Sequence, residues 1–390
     1  MMPTPATAVP GPQAPTAWSA PAYPPVGYAP APGYPPGYMP YQRPVRKPGV
    51  SPVLIGVLLV PVVVFVLIVI VKVFAAIGAA QPVVNPYNPP STGSTPTSTT
   101  GSTPKSPTSP TQTQQPGTYK NDDYTVPEPD LYPPELPMPQ TYDQATLWTQ
   151  SNVFYNQSVP APVRCEIPDI DPSKASDADL QDYLNTSVEC LMRVWAPELQ
   201  AAGFNAARPS VTIYSGTPQT PCGKMPRENA LYCSADQQIY FATDLPDLFP
   251  KQKADPFAPF AVLAHEFGHA IQAQTGILYG EAAWQQRYLD EDDQASANTV
   301  SRRTEMQADC FAGEFLRSVS QSAGISDQEI VTIKAIFNGI GDDRGQGGNV
   351  PEGDHGKGKN RQAWLTIGLT STKAGACNTF DPKVTNSQIQ

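Results

Sequence analysis

Histidine is scarce in this 390-residue chain: His265, His269 and His355 are the only three. Chemistry that needs imidazole must draw on them. Positive charge is also in deficit, with 25 lysines and arginines against 35 acidic residues and a net charge of −10. That balance argues against nucleic acid as a partner. No cysteine occurs before Cys165, and no C-x-x-C occurs anywhere, which argues against a cysteine zinc cluster. There is no internal repeat and no EF-hand spacing. The acidic run Asp290-Glu291-Asp292-Asp293 therefore reads as a solvated turn rather than a calcium loop.

Proline is in excess, with 47 residues crowded towards the N-terminal side. Residues 1–50 repeat Tyr-Pro-Pro, Gly-Tyr and Ala-Pro units and cannot bury enough apolar surface to offset ordering entropy. A disordered cytoplasmic tail is expected, with a docking role for an unknown partner as the functional alternative. Residues 51–80 hold an uncharged apolar run, Val53 to Val71, interrupted only by Pro61. As a helix it spans about 28 Å, enough for a single transmembrane pass, with Pro61 accommodated as a kink. Arg43, Arg46 and Lys47 precede it, which places the N-terminus in the cytoplasm and the rest outside the cell. A signal peptide cleaved near Gly78-Ala79-Ala80 is the competing reading. It fits less well, because the apolar run is long and starts far from the N-terminus. Residues 81–141, rich in Ser, Thr and Pro, read as a linker, and 142–390 as the folded domain.

Within that domain, apolar spacing predicts a helix over 177–195, opened by Ser176 with Asp179 and limited by Pro197. Strands are expected over 210–214 and 238–243. Further helices are expected over 258–274, stopped at Gly276, and over 300–318, 327–338 and 361–369. A glycine-rich loop should cover 339–359.

The 258–274 helix carries His265-Glu266-Phe267-Gly268-His269. Positions i and i+4 share a helix face, so both imidazoles can bind one ion, with Glu266 placed to act as a base. A catalytic zinc site needs a third protein ligand and an open position. Glu305 and Asp309 are candidates on the 300–318 helix, also spaced i, i+4. Glu305 is the preferred ligand. Asp309 would then hold a ligand imidazole through its second nitrogen, and the swapped assignment stays open.

Two motifs, H-E-x-G-H and Glu305-Met306-Gln307-Ala308-Asp309-Cys310-Phe311-Ala312-Gly313, resemble those of the bacterial family called "Putative neutral zinc metallopeptidase". Pro221-Cys222-Gly223, Tyr232-Cys233, Gly341-Asp342-Asp343, His355-Gly356, Arg361-Gln362-Ala363-Trp364 and Cys377-Asn378-Thr379-Phe380 extend the likeness over roughly 150–382. The resemblance implies an α+β, zincin-like domain binding one Zn2+ through His265, His269 and Glu305. It implies hydrolysis of a peptide or protein substrate by a metal-activated water, with Glu266 as general base. His355, in the polar loop, is either an oxyanion donor or a surface residue. By analogy with zinc proteases of this build, the strand around Ile239-Tyr240-Phe241 could pair with an extended substrate as an edge strand. A non-catalytic zinc-stabilised surface protein and a zinc amidase acting on cell-wall peptides are the alternatives.

The six cysteines all follow the apolar segment, as expected for disulfides in an oxidising compartment; six buried free thiols are the alternative. Of fifteen pairings, proximity along the chain favours Cys165–Cys190, Cys222–Cys233 and Cys310–Cys377.

Overall fold

A computed structural model describes residues 119–344 and 353–390. The expected tail, transmembrane helix and most of the linker lie outside the described residues, as does the middle of the glycine-rich loop. No helix among the described residues is long and apolar enough to cross a membrane.

The chain runs through α1 (Tyr142–Gln150), α2 (Asp177–Ala201), strands β1 (Val211–Tyr214), β2 (Gln219–Thr220), β3 (Gly223–Lys224), β4 (Ala230–Cys233) and β5 (Gln238–Ala242), then α3 (Phe257–Gln274), α4 (Ile277–Asp290), α5 (Gln294–Ala323), α6 (Asp327–Gly339) and α7 (Gly358–Thr370). The capping box at Ser176 and Asp179 forms as expected. Pro197, however, does not end the helix, because α2 continues to Ala201. A proline cannot donate to the carbonyl four residues back. Here the Asn121 side chain takes over, donating Nδ2–H to the Arg193 carbonyl at 2.9 Å.

Asn121 belongs to the segment expected to be linker, and the boundary at 142 needs correction. Lys120 forms a parallel bridge with Val163. The Arg208 guanidinium donates to the Pro127 carbonyl at 2.8 Å, and Gln237 Nε2–H donates to the Pro134 carbonyl at 2.8 Å. Tyr124, Val126 and Leu136 pack against the core. Proline leaves these residues extended, and extended backbone can lie along a folded surface.

The sheet is small. β5 lies between β1, with which it runs parallel, and β4, with which it runs antiparallel. The expected edge strand around Ile239 is therefore central, and β1 and β4 take the two edges. The reason is burial, since Ile239, Phe241 and Ala242 are all inaccessible. β2 and β3 form a separate hairpin.

α3 is enclosed on all sides, and every residue in it except His269 is buried. Such a helix belongs at the centre of a domain. Gly276, with φ +79°, ends it as expected. α4, which the sequence analysis did not anticipate, follows directly. The acidic run 290–293 forms the α4–α5 turn: Glu291 pairs with Arg287, and Asp293 caps α5 by accepting from the Ser296 amide. Phe154, Trp195 and Phe311 meet tilted or edge-on, with centroids 5.7–6.0 Å apart, and join the chain before α2 to α2 and α5.

The disulfides are Cys165–Cys190, Cys222–Cys233 and Cys310–Cys377, with no free cysteine. The last ties α5 to the C-terminal segment beside α7.

α5 and α7 touch through backbone. A Cβ on Gly313 would overlap the Leu365 carbonyl, and one on Gly368 would overlap the Cys310 carbonyl. Gly368→Ala should therefore destabilise the fold by about 3 kcal/mol through overpacking. Gly339→Ala, where a Cβ would meet nothing within 4 Å, should shift stability by no more than roughly 0.5 kcal/mol. Urea denaturation of both variants checks the contrast.

Candidate metal centre

The site begins where α3 and α5 cross. A Cβ on Gly268 would stand 2.9 Å from Ala308 Cα, so only glycine lets the two helices approach this closely. Gly268 lies between the motif histidines. Ala308 lies between Glu305 and Asp309. The crossing therefore sets two carboxylates against two imidazoles.

The carboxylates take different edges of His265. Asp309 Oδ1 lies 2.8 Å from Nδ1, while Glu305 Oε2 lies 3.4 Å from Nε2. Glu305 Oε1 also lies 3.5 Å from His269 Nε2, and the two Nε2 atoms are 3.2 Å apart. A tetrahedral ion bonded at ~2.0–2.1 Å holds its ligand atoms about 3.3 Å from one another. The two Nε2 atoms, and each of them with one of the Glu305 oxygens, already stand close to that spacing, so the residues fit zinc.

The hydrogen bonds fix which nitrogens face the ion. Gln272 donates its amide to the Thr304 carbonyl at 2.8 Å and to Gln307 Oε1 at 3.1 Å. Its own oxygen is therefore the atom 2.8 Å from His269 Nδ1. Nδ1 must then carry the proton, which leaves the Nε2 lone pair towards Glu305. Gln307 donates in turn to the Tyr155 hydroxyl and the Cys377 carbonyl. Asp309 plays the corresponding part for His265.

Asp309 is fully buried and is held by a two-pronged contact with Arg361, at 2.8 Å from Nε and 2.7 Å from Nη2. Burial pushes its carboxyl up, but the Arg361 charge and hydrogen bonds outweigh that and hold it below its usual range. Glu305 is likewise raised by burial and brought well below the usual range by His269, His265 and His355.

Glu266 is buried, and its Oε2 accepts the Tyr232 backbone N–H at 2.8 Å. That amide lies on the open edge of β4. Glu266 Oε1 has no hydrogen bond among the described residues.

The sequence comparison bears on this arrangement. Residues 156–380, more than half of the chain, match the model of the family described as "Putative neutral zinc metallopeptidase".

The chain belongs to this family.

Family relatives include the uncharacterized protein YpfJ of Escherichia coli K12, 32% identical over 198 residues, which span 49% of this chain and 68% of that protein. Another is the uncharacterized protein Rv2575 of Mycobacterium tuberculosis H37Rv, 34% identical over 206 residues, or 48% of this chain and 66% of that protein. No solved structure gives a significant match.

His355, the remaining histidine, belongs to a second group with Asp342 and Asp354, and the charge on Glu305 reaches it. Its Nδ1 lies 2.8 Å from Asp354 Oδ1, and its backbone N–H donates to Asp342 Oδ2 at 3.0 Å. Burial opposes its charge, but Asp342, Asp354 and Glu305 outweigh burial and raise its pKa well above the ordinary value.

Sequence reasoning passed over Arg361 as a site residue, although it stands in a stretch resembling the family. It also missed Gln272, Gln307 and the Tyr232 amide. Gln272 had a legible signal, being a polar residue three positions after His269 on a mostly apolar helix. A backbone amide has none.

The geometry has a consequence for metal uptake. Burial disfavours charge on metal-free His265, yet the hydrogen bonds it donates to Asp309 and Glu305 raise its pKa to about 9. A raised pKa means that the proton's stabilising effect is full below about 6.5 and is lost as pH rises through 9. A zinc ligand must be neutral, so binding at pH 7 should expel about one proton from this residue. Affinity should therefore climb with pH up to about 9. Calorimetric zinc titrations in buffers of different ionisation enthalpy measure this, and binding at pH 7 with no proton release would show that His265 is neutral before the metal arrives.

Proposed function

We propose that this chain is a zinc-dependent peptidase that hydrolyses peptide bonds outside the cytoplasmic membrane. The observation that carries the reading is the ligand set beside Glu266: His265 Nε2 and His269 Nε2 lie 3.2 Å apart, with one Glu305 oxygen 3.4 Å from the first and the other Glu305 oxygen 3.5 Å from the second. Bound there, zinc would supply Lewis acidity and lower the pKa of a water to about 7.

The chain's own residues account for the rest. Glu266 is the base. Tyr232 N–H fixes one of its oxygens, so the other can receive the proton of the attacking water and pass it to the leaving amine. A structural zinc site would need no such group. His355 is the donor to the carbonyl oxygen as that atom gains charge, its ring steadied by Asp354. Asp309 and Gln272 orient the two imidazoles. An extended substrate strand is best accommodated along the open edge of β4, whose Tyr232 amide already reaches the base.

Placement outside the membrane rests on the apolar segment 53–71, the basic residues before it and three disulfides in the folded part. A partner for the Pro/Tyr-rich tail fits the same topology.

The test uses the purified full chain, fluorogenic peptides and metal analysis. Wild type should cleave, and chelation should abolish cleavage. Glu266→Gln should keep one zinc and lose about 10²–10⁴-fold in turnover. Glu305→Ala should lose the metal, whereas Asp309→Ala should weaken its binding by about 10–100-fold. Wild-type rates in the Glu266→Gln protein would end the assignment of the base. Full zinc occupancy in Glu305→Ala would transfer the ligand role to Asp309.

A further inference from the structure

One acid near the centre has no counterpart. Asp309 is matched by Arg361, Glu305 by the two imidazoles and Asp354 by His355. Glu281 on α4 is only 6% exposed, and it forms no hydrogen bond or ion pair among the described residues; its Oε1 is fully buried. It shares the inner face of α4 with Ile277, one turn earlier, which is wholly buried. The charges that act on it are those of further acids, Glu305 and Asp354. Burial first, and then those two charges, push the Glu281 carboxyl up to about 8.

An unmatched buried carboxyl is costly whether ionised or protonated, by roughly 1–3 kcal/mol for the missing hydrogen bond alone. Such a cost, next to a reaction centre, points to a partner that arrives from outside. A second metal ion is a poor candidate. It would need several ligand atoms, and the neighbouring carboxylates already hold His355, two backbone amides and the imidazole pair. A primary ammonium suits the place better. It carries one positive charge and three donors, and it can be shared between Glu281 and a carboxylate that is already engaged.

We propose that Glu281 and Asp354 together form a subsite for a primary ammonium group of the substrate, next to the residues that hold the metal. This rests on the peptidase reading and deepens it. The ammonium is either the peptide's free N-terminus or a lysine side chain, and the chemistry of recognition is the same for both.

Two peptide pairs of common sequence separate these sources. One pair has a free or an acetylated N-terminus, and the other has lysine or norleucine at one position. For the zinc-loaded full chain, kcat/KM is measured with each peptide. Kd is measured on the Glu266→Gln protein, where binding can be read without turnover. The amine-bearing member of one pair should be preferred by roughly tenfold or more, a value typical of one charge-assisted contact. That pair identifies the source. In Glu281→Gln the ratio should fall to within about threefold, and Glu281→Asp, which keeps the charge, should retain part of it. Equal kcat/KM within both pairs, or an undiminished preference in Glu281→Gln, would overturn the subsite and leave the peptidase reading standing. Failure of the wild type to cleave any peptide, together with failure of Glu266→Gln to bind any, would sink both.

Discussion

Two helix axes can approach only as closely as their smallest facing side chains permit, and this centre depends on that limit. Gly268 on α3 meets Ala308 on α5 with no room for even a methyl group. Carboxylate and imidazole arms are short, so a wider crossing would leave Glu305 and Asp309 out of reach of His265 and His269. The arrangement recurs one layer out. Gly313 on α5 faces α7 backbone, and Gly368 on α7 faces α5 backbone. Gly313 is one turn from Asp309, and Gly368 is two turns from Arg361. The second close contact thus brings the guanidinium to the carboxylate that steadies His265. Three helices, spaced by small residues, deliver the two imidazoles, Glu305, Asp309 and Arg361.

Burying so many ionisable groups would be ruinous without matching them. An unpaired ion in the interior costs several kcal/mol even after relaxation. In this interior the charges alternate in space: Arg361 on Asp309, Asp309 on His265, His265 beside Glu305. The order decides the chemistry of each group. Arg361 keeps Asp309 ionised, and ionised Asp309 claims Nδ1 of His265, so the Nε2 atom is turned towards Glu305. On the other histidine a neutral chain through Gln272 and Gln307 reaches the same result by hydrogen bonding alone. One imidazole is thus oriented by charge and the other by amide geometry.

Much of this was legible in the sequence because it is periodic. The i, i+4 spacing of His265 with His269, and of Glu305 with Asp309, survives folding unchanged, since a helix converts sequence distance into direction. The strands at 211–214 and 238–242 and the capping box at Ser176 follow from local patterns of the same kind. What was illegible depends on distant partners. Pro197 reads as a helix stop until Asn121 supplies the missing donor from 72 residues away in the chain. Residues 119–141 read as linker because proline suppresses both periods, yet an extended chain can still dock. α4 was hidden because Gly276 reads as an end of structure, whereas here it is the corner between two helices. The placement of β5 at the sheet centre could not be seen from its own residues, since it depends on β4, a four-residue strand with little pattern to show.

β4 joins the sheet to the chemistry. Its inner edge is committed to β5. On its outer edge the Tyr232 amide donates to Glu266, an unusual use of an edge amide that would otherwise face solvent. The next residue, Cys233, is bonded to Cys222 in the β2–β3 turn. A strand this short has few ladder bonds with which to hold its register, and a slip of one residue would point the amide of a neighbour at the carboxylate instead. The disulfide anchors the strand within one residue of the contact that matters. The position of Glu266 is therefore set from two directions, by the central helix that carries it and by a stapled strand that grips one oxygen. A carboxylate constrained at only one end could turn away from the open edge. Held at both, it presents its second oxygen without a hydrogen bond among the described residues.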